Sequence, residues 1–125
     1  ILPGGWVQGP RISGKIVPPG GDWLRTMPSA ALRQEAKLSI ETDDGALIYL
    51  SYTGVVVGSK EVGEALGKGE IVTDKNFPYF ITAAQFQTSA EKYNWLNQVQ
   101  TAGKMIELKR TAAEAYVKYD IFIIR

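Results

Sequence analysis

The sequence predicts an all-β, antiparallel protein, and three observations carry that prediction. Gly and Pro punctuate the chain at short intervals, in Pro3-Gly4-Gly5, Gly9-Pro10, Pro18-Pro19-Gly20-Gly21, Asp44-Gly45, Gly54, Gly58, Gly67 and Gly69. The runs between these breakers are rich in Ile, Val, Tyr, Phe and Thr, whose branched or aromatic side chains fit a pleated, half-buried surface. An Asp43-Asp44-Gly45 turn separates two alternating segments and is the best hairpin signal in the chain.

Residues 11–17 read as the first clear strand. Residues 36–42 and 46–53 read as the arms of the hairpin, since Asp-Gly tolerates the positive φ angles of a tight turn. Period-two alternation sets Leu38, Ile40 and Thr42 against Lys37, Ser39 and Glu41. On the second arm it sets Leu47, Tyr49 and Ser51 against Ile48, Leu50 and Tyr52, so one face is apolar and the other mixed. Residues 60–66 predict one or two helical turns, with Val62 and Leu66 one turn apart, Ser59 as N-cap and Gly67 as the stop. Residues 80–88 are strand-like, residues 94–99 suit a further turn, and residues 104–109 and 115–124 close the chain as strands. The alanines of residues 111–116 favour helix, but the segment feeds straight into Tyr119-Asp120-Ile121-Phe122-Ile123-Ile124 and is read as loop or turn, then strand. The count is six clear strands and up to two more. With no repeat, linker or low-complexity segment, residues 1–125 are expected to form one domain.

Composition narrows the chemistry. A chain of 125 residues, 45% hydrophobic and 22% charged, has the balance of an ordinary soluble globular protein, with room for one core and no separate catalytic domain. No apolar run approaches the roughly 20 residues of a spanning helix, so no membrane partner is expected. Net charge is +1, and the nearest approach to a basic cluster, Lys104 with Lys109 and Arg110, is too sparse for phosphate neutralisation. Nucleic-acid binding is therefore not expected. Without Cys or His the chain has no disulfides, no thiolate, no Ser-His-Asp or Cys-His pair and no familiar zinc site. Its carboxylates lack the dense spacing of a calcium loop, and the expectation is a protein with no metal and no cofactor. The chain starts at Ile1 with no visible signal peptide, which makes cytoplasm the default compartment.

Four separated motifs occur in order: Gly4-Gly5 followed by Gly9-Pro10-Arg11-Ile12-Ser13-Gly14; Pro18 through Gly20-Gly21-Asp22-Trp23; Thr42-Asp43-Asp44-Gly45-Ala46-Leu47-Ile48-Tyr49; and Tyr93-Asn94-Trp95-Leu96-Asn97. Gly69-Glu70, Tyr79-Phe80, Thr82, Phe86, Thr88 and the strand Tyr119-Asp120-Ile121-Phe122 extend the series. This pattern resembles the UPF0311, or DUF3237, family of small β-barrels along nearly the whole chain. The resemblance implies a single antiparallel up-and-down β-barrel of about eight strands whose interior holds side chains or one small ligand. The resemblance also implies that family members carry a further segment ahead of Gly4 that contributes a strand, and the expectation is that this family strand is missing before residue 1 here. The family favours Glu where this chain has Gln8, Arg where it has Lys37, Arg where it has Ile81 and Glu where it has Gln87. The paired loss of Arg and Glu at Ile81 and Gln87 predicts a less polar lumen, since a lone buried charge is costly.

Against that background the candidate residues sort by chemistry. Asp22, beside Trp23 on a Gly-rich loop, suits a proton shuttle if the indole desolvates it, or an Asx-turn with Trp23 plugging one barrel end. Arg11 suits an oxyanion or carbonyl partner, or an ion pair to Asp22 or Asp43. Asp43 and Asp44 are read as turn formers, and Glu70 as structural. Tyr49, Tyr52, Tyr79, Tyr93 and Trp95 supply rings that serve either core or pocket, and the family motif keeps a hydroxyl at Tyr49 and Tyr93. Thr82 and Asn97 offer neutral hydrogen bonds to a ligand carbonyl or to buried backbone.

The leading expectation is a cofactor-independent isomerase, cyclase or lyase acting on a hydrophobic, oxygenated small molecule. Asp22, Arg11 and Tyr49 are its catalytic group, as base or acid and as oxyanion donors, and Trp23, Thr82, Tyr93, Trp95 and Asn97 shape the pocket. The alternatives are a ligand carrier without catalysis and a structural or oligomerising module with a filled lumen, and a homo-oligomer is compatible with each.

Overall fold

In the computed structural model, which describes residues 5–125, the Asp43-Asp44-Gly45 turn joins β3 (Leu32–Thr42) to β4 (Leu47–Val57). Their ladder runs in register from Glu41↔Leu47 to Leu32↔Val56. Gly45 takes φ +86°, a region open to glycine at no steric cost. The Thr42 hydroxyl donates to Asp44 Oδ1 at 2.6 Å and accepts from the Ala46 amide at 2.8 Å, which closes the turn. Pro3 and Gly4 of the opening motif lie outside the described residues.

Around this hairpin stand β1 (Trp6–Gln8), β2 (Ser13–Thr26), β5 (Val72–Thr73), β6 (Tyr79–Gln87), β7 (Gln100–Arg110) and β8 (Ala115–Ile124). The six long strands are those expected from the sequence, and the short β1 and β5 are the two further ones. All pairings are antiparallel, in the order β1-β2-β3-β4-β6-β7, with β5 and β8 both on β7. The sheet curls into a half-barrel. Among the described residues β8 pairs only with β7, and β2 beyond Ile16 pairs only with β3, so the concave face lies between those two strands.

The strand expected to stop at Val17 instead continues as β2 through Pro18-Pro19-Gly20-Gly21 to Thr26. A register shift between Val17 and Gly21 absorbs the prolines, and among the described residues this stretch pairs on one side only, where prolines are tolerated. Asp22 therefore stands on a paired strand rather than on a flexible loop.

The helix is as anticipated: α1 (Lys60–Gly67) is capped by Ser59, whose Oγ accepts from the Val62 amide at 3.2 Å, and it buries Val62. Its last turn closes at Gly69, at φ +78°, two residues beyond the expected stop. A 3-10 helix, Glu91–Gln98, fills the anticipated second turn and seats Tyr93 and Leu96 in the core.

The buried face is the one that alternation assigned to Leu38, Ile40 and Thr42, and on β4 it carries Ile48, Leu50 and half-buried Tyr52. Ile40, Ile48 and Met105 are almost fully enclosed, each burial being worth about 1.5–3 kcal/mol. The core has two clusters. One, at the 3-10 helix end, gathers Leu38, Ile40, Ile48, Leu50, Ala84, Tyr93 and Leu96. The other gathers Val56, Phe80 and Met105, with Tyr119 packed against them.

The expectation of a less polar lumen does not hold. Ile81 pairs with Val55 and Gln87 with Tyr49, on the convex face, and Gln8 and Lys37 are exposed on that face too. Period-two alternation carries all four family departures away from the interior.

Candidate functional site

Two cross-strand rows span the middle of the concave face between the core clusters. One runs through Asp22, Ala36, Tyr52, Ala84, Thr101 and Ile123 on β2, β3, β4, β6, β7 and β8. The next runs through Leu24, Gln34, Gly54, Thr82, Gly103 and Ile121. Gly54, Thr82 and Gly103 form the centre of the second row, and Ala36 and Ala84 flank Tyr52 in the first. A Cβ on Gly54 would lie 2.5 Å from Gln34 Oε1 and 3.1 Å from Thr82 Cγ2, and one on Gly103 would lie 2.5 Å from Thr82 Oγ1. These glycines are therefore spatial requirements, and they hold the two core clusters apart. Phe80, Tyr52 and Tyr119 wall the floor, with Tyr119 at 5.8 Å from Tyr52 and 5.9 Å from Phe80 between ring centroids.

The polar groups on this floor are unusual for a sheet interior. Gln34 Oε1 and the Tyr119 hydroxyl are buried without a hydrogen-bond partner of good geometry among the described residues, and such groups are costly unless something pairs with them. Burial raises the pKa of the Tyr119 hydroxyl. Burial also pushes the Tyr52 hydroxyl well above the usual phenol range, reinforced by Tyr119 and by the negative charge of Asp22. Both phenols thus stay protonated near neutral pH and serve as donors. Asp22 lies on the open side of the face, yet partial burial raises its carboxyl pKa. Asp22 and Tyr52 are both register partners of Ala36, one on each side, so their backbones stand about 10 Å apart, two strand spacings. A carboxylate and a phenol thus stand on either side of a methyl group, an arrangement able to move a proton to or from a flat molecule seated between them.

The sequence-predicted residues divide into three places. Asp22 and Thr82 stand on the concave face, and Thr82 is buried. Arg11, Trp95, Tyr93 and Asn97 gather at the 3-10 helix end. There the Arg11 guanidinium lies 3.8 Å over the Trp95 ring, rather than beside Asp22 or Asp43. The buried Tyr93 hydroxyl donates to Asp44 Oδ1 at 2.8 Å. Asn97 is turned to backbone, accepting from the Thr88 amide at 2.8 Å and donating to the Thr88 carbonyl at 2.9 Å. Tyr49 and Trp23 are on the convex face by register, and Trp23, 56% exposed, lies over Gly21 instead of plugging the barrel.

The convex face has shallow depressions of its own. One, of about 510 Å³, is lined by Pro18, Pro19, Ser39, Tyr49 and Thr88, and a second, of about 440 Å³, by Tyr49, Ser51, Gln85, Gln87 and Asn97. Both are wide open to solvent and hold neither of the unpartnered buried atoms nor a carboxyl of raised pKa, so the concave face is the better site. Gln34 and Tyr119 are members that sequence reasoning left out of the site, and Tyr52 is one that it left between core and pocket. The signal for two of them was available: Gln34 shares parity with Leu38, and Tyr52 with Ile48 and Leu50.

The family described as "Protein of unknown function (DUF3237)" matches residues 1–124. A UPF0311 protein of Rhodopseudomonas palustris (strain TIE-1) is 41% identical over 100 residues, covering 78% of this chain and 65% of that protein. The chain thus spans just under two thirds of that relative. A hydroalkoxylation enzyme of Penicillium herquei is 32% identical over 103 residues, 82% of this chain and 52% of that protein. Among solved structures, a conserved protein of unknown function from Rhodopseudomonas palustris superposes with TM-score 0.77 at 35% identity, covering 93% of this chain and 74% of that one. A β-barrel-like protein from Acinetobacter baumannii gives 0.73 at 34% identity, covering 96% and 73%.

Proposed function

The chain belongs to the DUF3237 family, and we propose that it is a small-molecule-binding β-barrel that isomerises, cyclises or eliminates a hydrophobic, oxygenated metabolite without a cofactor. The observation that carries this reading is the pairing of Asp22 and Tyr52 across Ala36, on a concave floor that also holds the unpartnered Gln34 Oε1 and Tyr119 hydroxyl. In this reading Asp22 takes a proton from a substrate hydroxyl or an acidic carbon. The freed electron pair closes a ring onto a double bond, shifts a double bond, or forms one as a C–O bond breaks, while the Tyr52 hydroxyl steadies the developing oxyanion or gives its own proton to the receiving carbon or departing oxygen and regains one from Asp22. General acid–base assistance of this kind contributes roughly 10²–10⁴-fold. Gln34, Thr82 and Tyr119 orient the molecule.

The Penicillium herquei relative supports the chemistry in kind, because a hydroalkoxylation adds an O–H across a carbon–carbon double bond. Such an addition conserves all atoms: one proton leaves oxygen, a C–O bond forms, and one proton reaches carbon. A carboxylate and a phenol suffice for both transfers.

The test is a thermal-shift screen of oxygenated aromatic, polyketide-like and lactone compounds, with each hit incubated and followed by mass spectrometry and chiral chromatography. Asp22→Asn is expected to lower turnover about a hundredfold while binding persists, and Tyr52→Phe about tenfold or more. Full turnover in Asp22→Asn would remove the mechanism. Binding with no conversion of any hit would make the protein a carrier, and no shift from any compound would leave a filled structural lumen.

A further inference from the structure

In the two rows that form the concave floor, Asp22 is the one charged residue among the described residues. Of the cations on the same strands, Lys15, Arg25, Arg33, Lys37, Lys104, Lys109 and Lys118 fall on the alternate positions and so on the convex face, and Arg110 stands at the far end of β7, opposite Ala115 and beyond the two rows. Lys15, Lys104 and Lys118 are also paired there, with Glu41, Asp74 and Glu107. The other polar groups of the floor, Gln34, Tyr52, Thr82, Thr101 and Tyr119, are neutral. Among the described residues, a ligand seated on these two rows meets one negative charge and no positive one, beside the aromatic rings of Tyr52, Phe80 and Tyr119.

We propose that the concave site selects neutral, flat, hydroxylated aromatic ligands over their carboxylate analogues, and that Asp22 is the residue that sets this choice. The inference rests on the reading of the concave face as the ligand site and adds the substrate class. A ligand hydroxyl donates to the Asp22 carboxylate and accepts from the Tyr52 hydroxyl, satisfying both partners. A ligand carboxylate has no proton to give Asp22, repels it at close range, and finds no Lys or Arg on the floor to compensate, a juxtaposition that proteins use to reject wrong partners. The aromatic walls formed by Tyr52, Phe80 and Tyr119 favour planar surface.

The experiment titrates the purified chain near neutral pH with naphthol, naphthalene and naphthoate, probes that differ only in the polar group. The expected order is naphthol tightest, with naphthoate weaker by about tenfold or more. Asp22→Asn is expected to raise naphthoate affinity by about tenfold while naphthol changes by a few-fold. Lys37→Gln, a loss of charge on the convex face, is expected to leave all three unchanged. Equal binding of naphthol and naphthoate, an unaltered naphthoate affinity in Asp22→Asn, or no binding of any probe would each overturn the proposal. Charge discrimination without turnover of any compound would keep the ligand class and sink the catalytic reading. Turnover that depends on Asp22 without charge discrimination would do the reverse.

Discussion

Asp22 and Tyr52 are register partners of the same residue, Ala36, one from each side, and their ionisation is linked. Burial raises both, and the charge of Asp22 adds to the rise at Tyr52. The folded chain therefore holds the Asp22 proton more tightly than the unfolded chain, whose carboxyl titrates near 3.8. The stability this contributes is fully present below that pH and is lost as pH rises through the higher folded value. Asp22→Asn is expected to match or slightly exceed the native Tm near neutral pH, with the gap closing or reversing in acid. A Tm series across pH checks this, and a clear loss of stability in Asp22→Asn at neutral pH would contradict it.

Asp44 shows the opposite linkage. Hydrogen bonds from Lys92 Nζ at 2.8 Å, the Thr42 hydroxyl at 2.6 Å and the Tyr93 hydroxyl at 2.8 Å hold its carboxyl well below the usual range. Its contribution is present above 3.8 and is lost only as pH falls through the depressed folded value. Asp44→Asn is expected to lower Tm near neutral pH and to flatten the acid limb of the Tm profile. Tyr93→Phe is expected to lower Tm as well, by loss of a hydrogen bond from a buried hydroxyl to a charged acceptor. If neither variant changes Tm, the hairpin turn is not what fixes the 3-10 helix.

Arg11 and Trp95 make a stacked pair at 3.8 Å, far from the concave floor in role. An exposed cation–π contact of this kind is worth about 0.5–1 kcal/mol. Arg11→Ala is expected to reduce unfolding free energy by that amount and to alter Trp95 fluorescence, with ligand affinity on the concave face unchanged. A large loss of ligand affinity in Arg11→Ala would return Arg11 to the binding site.

These contrasts show what the sequence made legible. The hairpin, the Ser59 cap and the inward face of β3 follow from local rules of turn chemistry and period-two alternation, and each stands as read. The path of β2 did not, because Pro18-Pro19-Gly20-Gly21 reads as a breaker when its neighbours are unknown, and a register shift against β3 accommodates it. Site membership failed for a related reason. Tyr49 and Trp23 were chosen for ring and hydroxyl chemistry, and only strand parity tells that they turn outward. Tyr119 becomes a neighbour of Tyr52 through β7 and β8 pairing, a contact that no local spacing encodes.

The closeness of Gly103 to Thr82 offers the sharpest test of the floor itself. A Cβ at Gly103 would stand 2.5 Å from Thr82 Oγ1, while the Asp120 carbonyl, the next neighbour, is at a comfortable 3.6 Å. Gly103→Ala must therefore displace the Thr82 side chain, and overpacking of a buried site costs about 1–3 kcal/mol. Thr82→Ala removes the obstructing hydroxyl. The double variant is thus expected to recover most of the loss, with a coupling of about 1 kcal/mol or more in urea unfolding. Simple additivity would mean that something other than Thr82 demands a small residue at position 103. Recovery of stability without recovery of ligand binding would show that the Thr82 hydroxyl contacts the ligand as well as filling the gap beside Gly103.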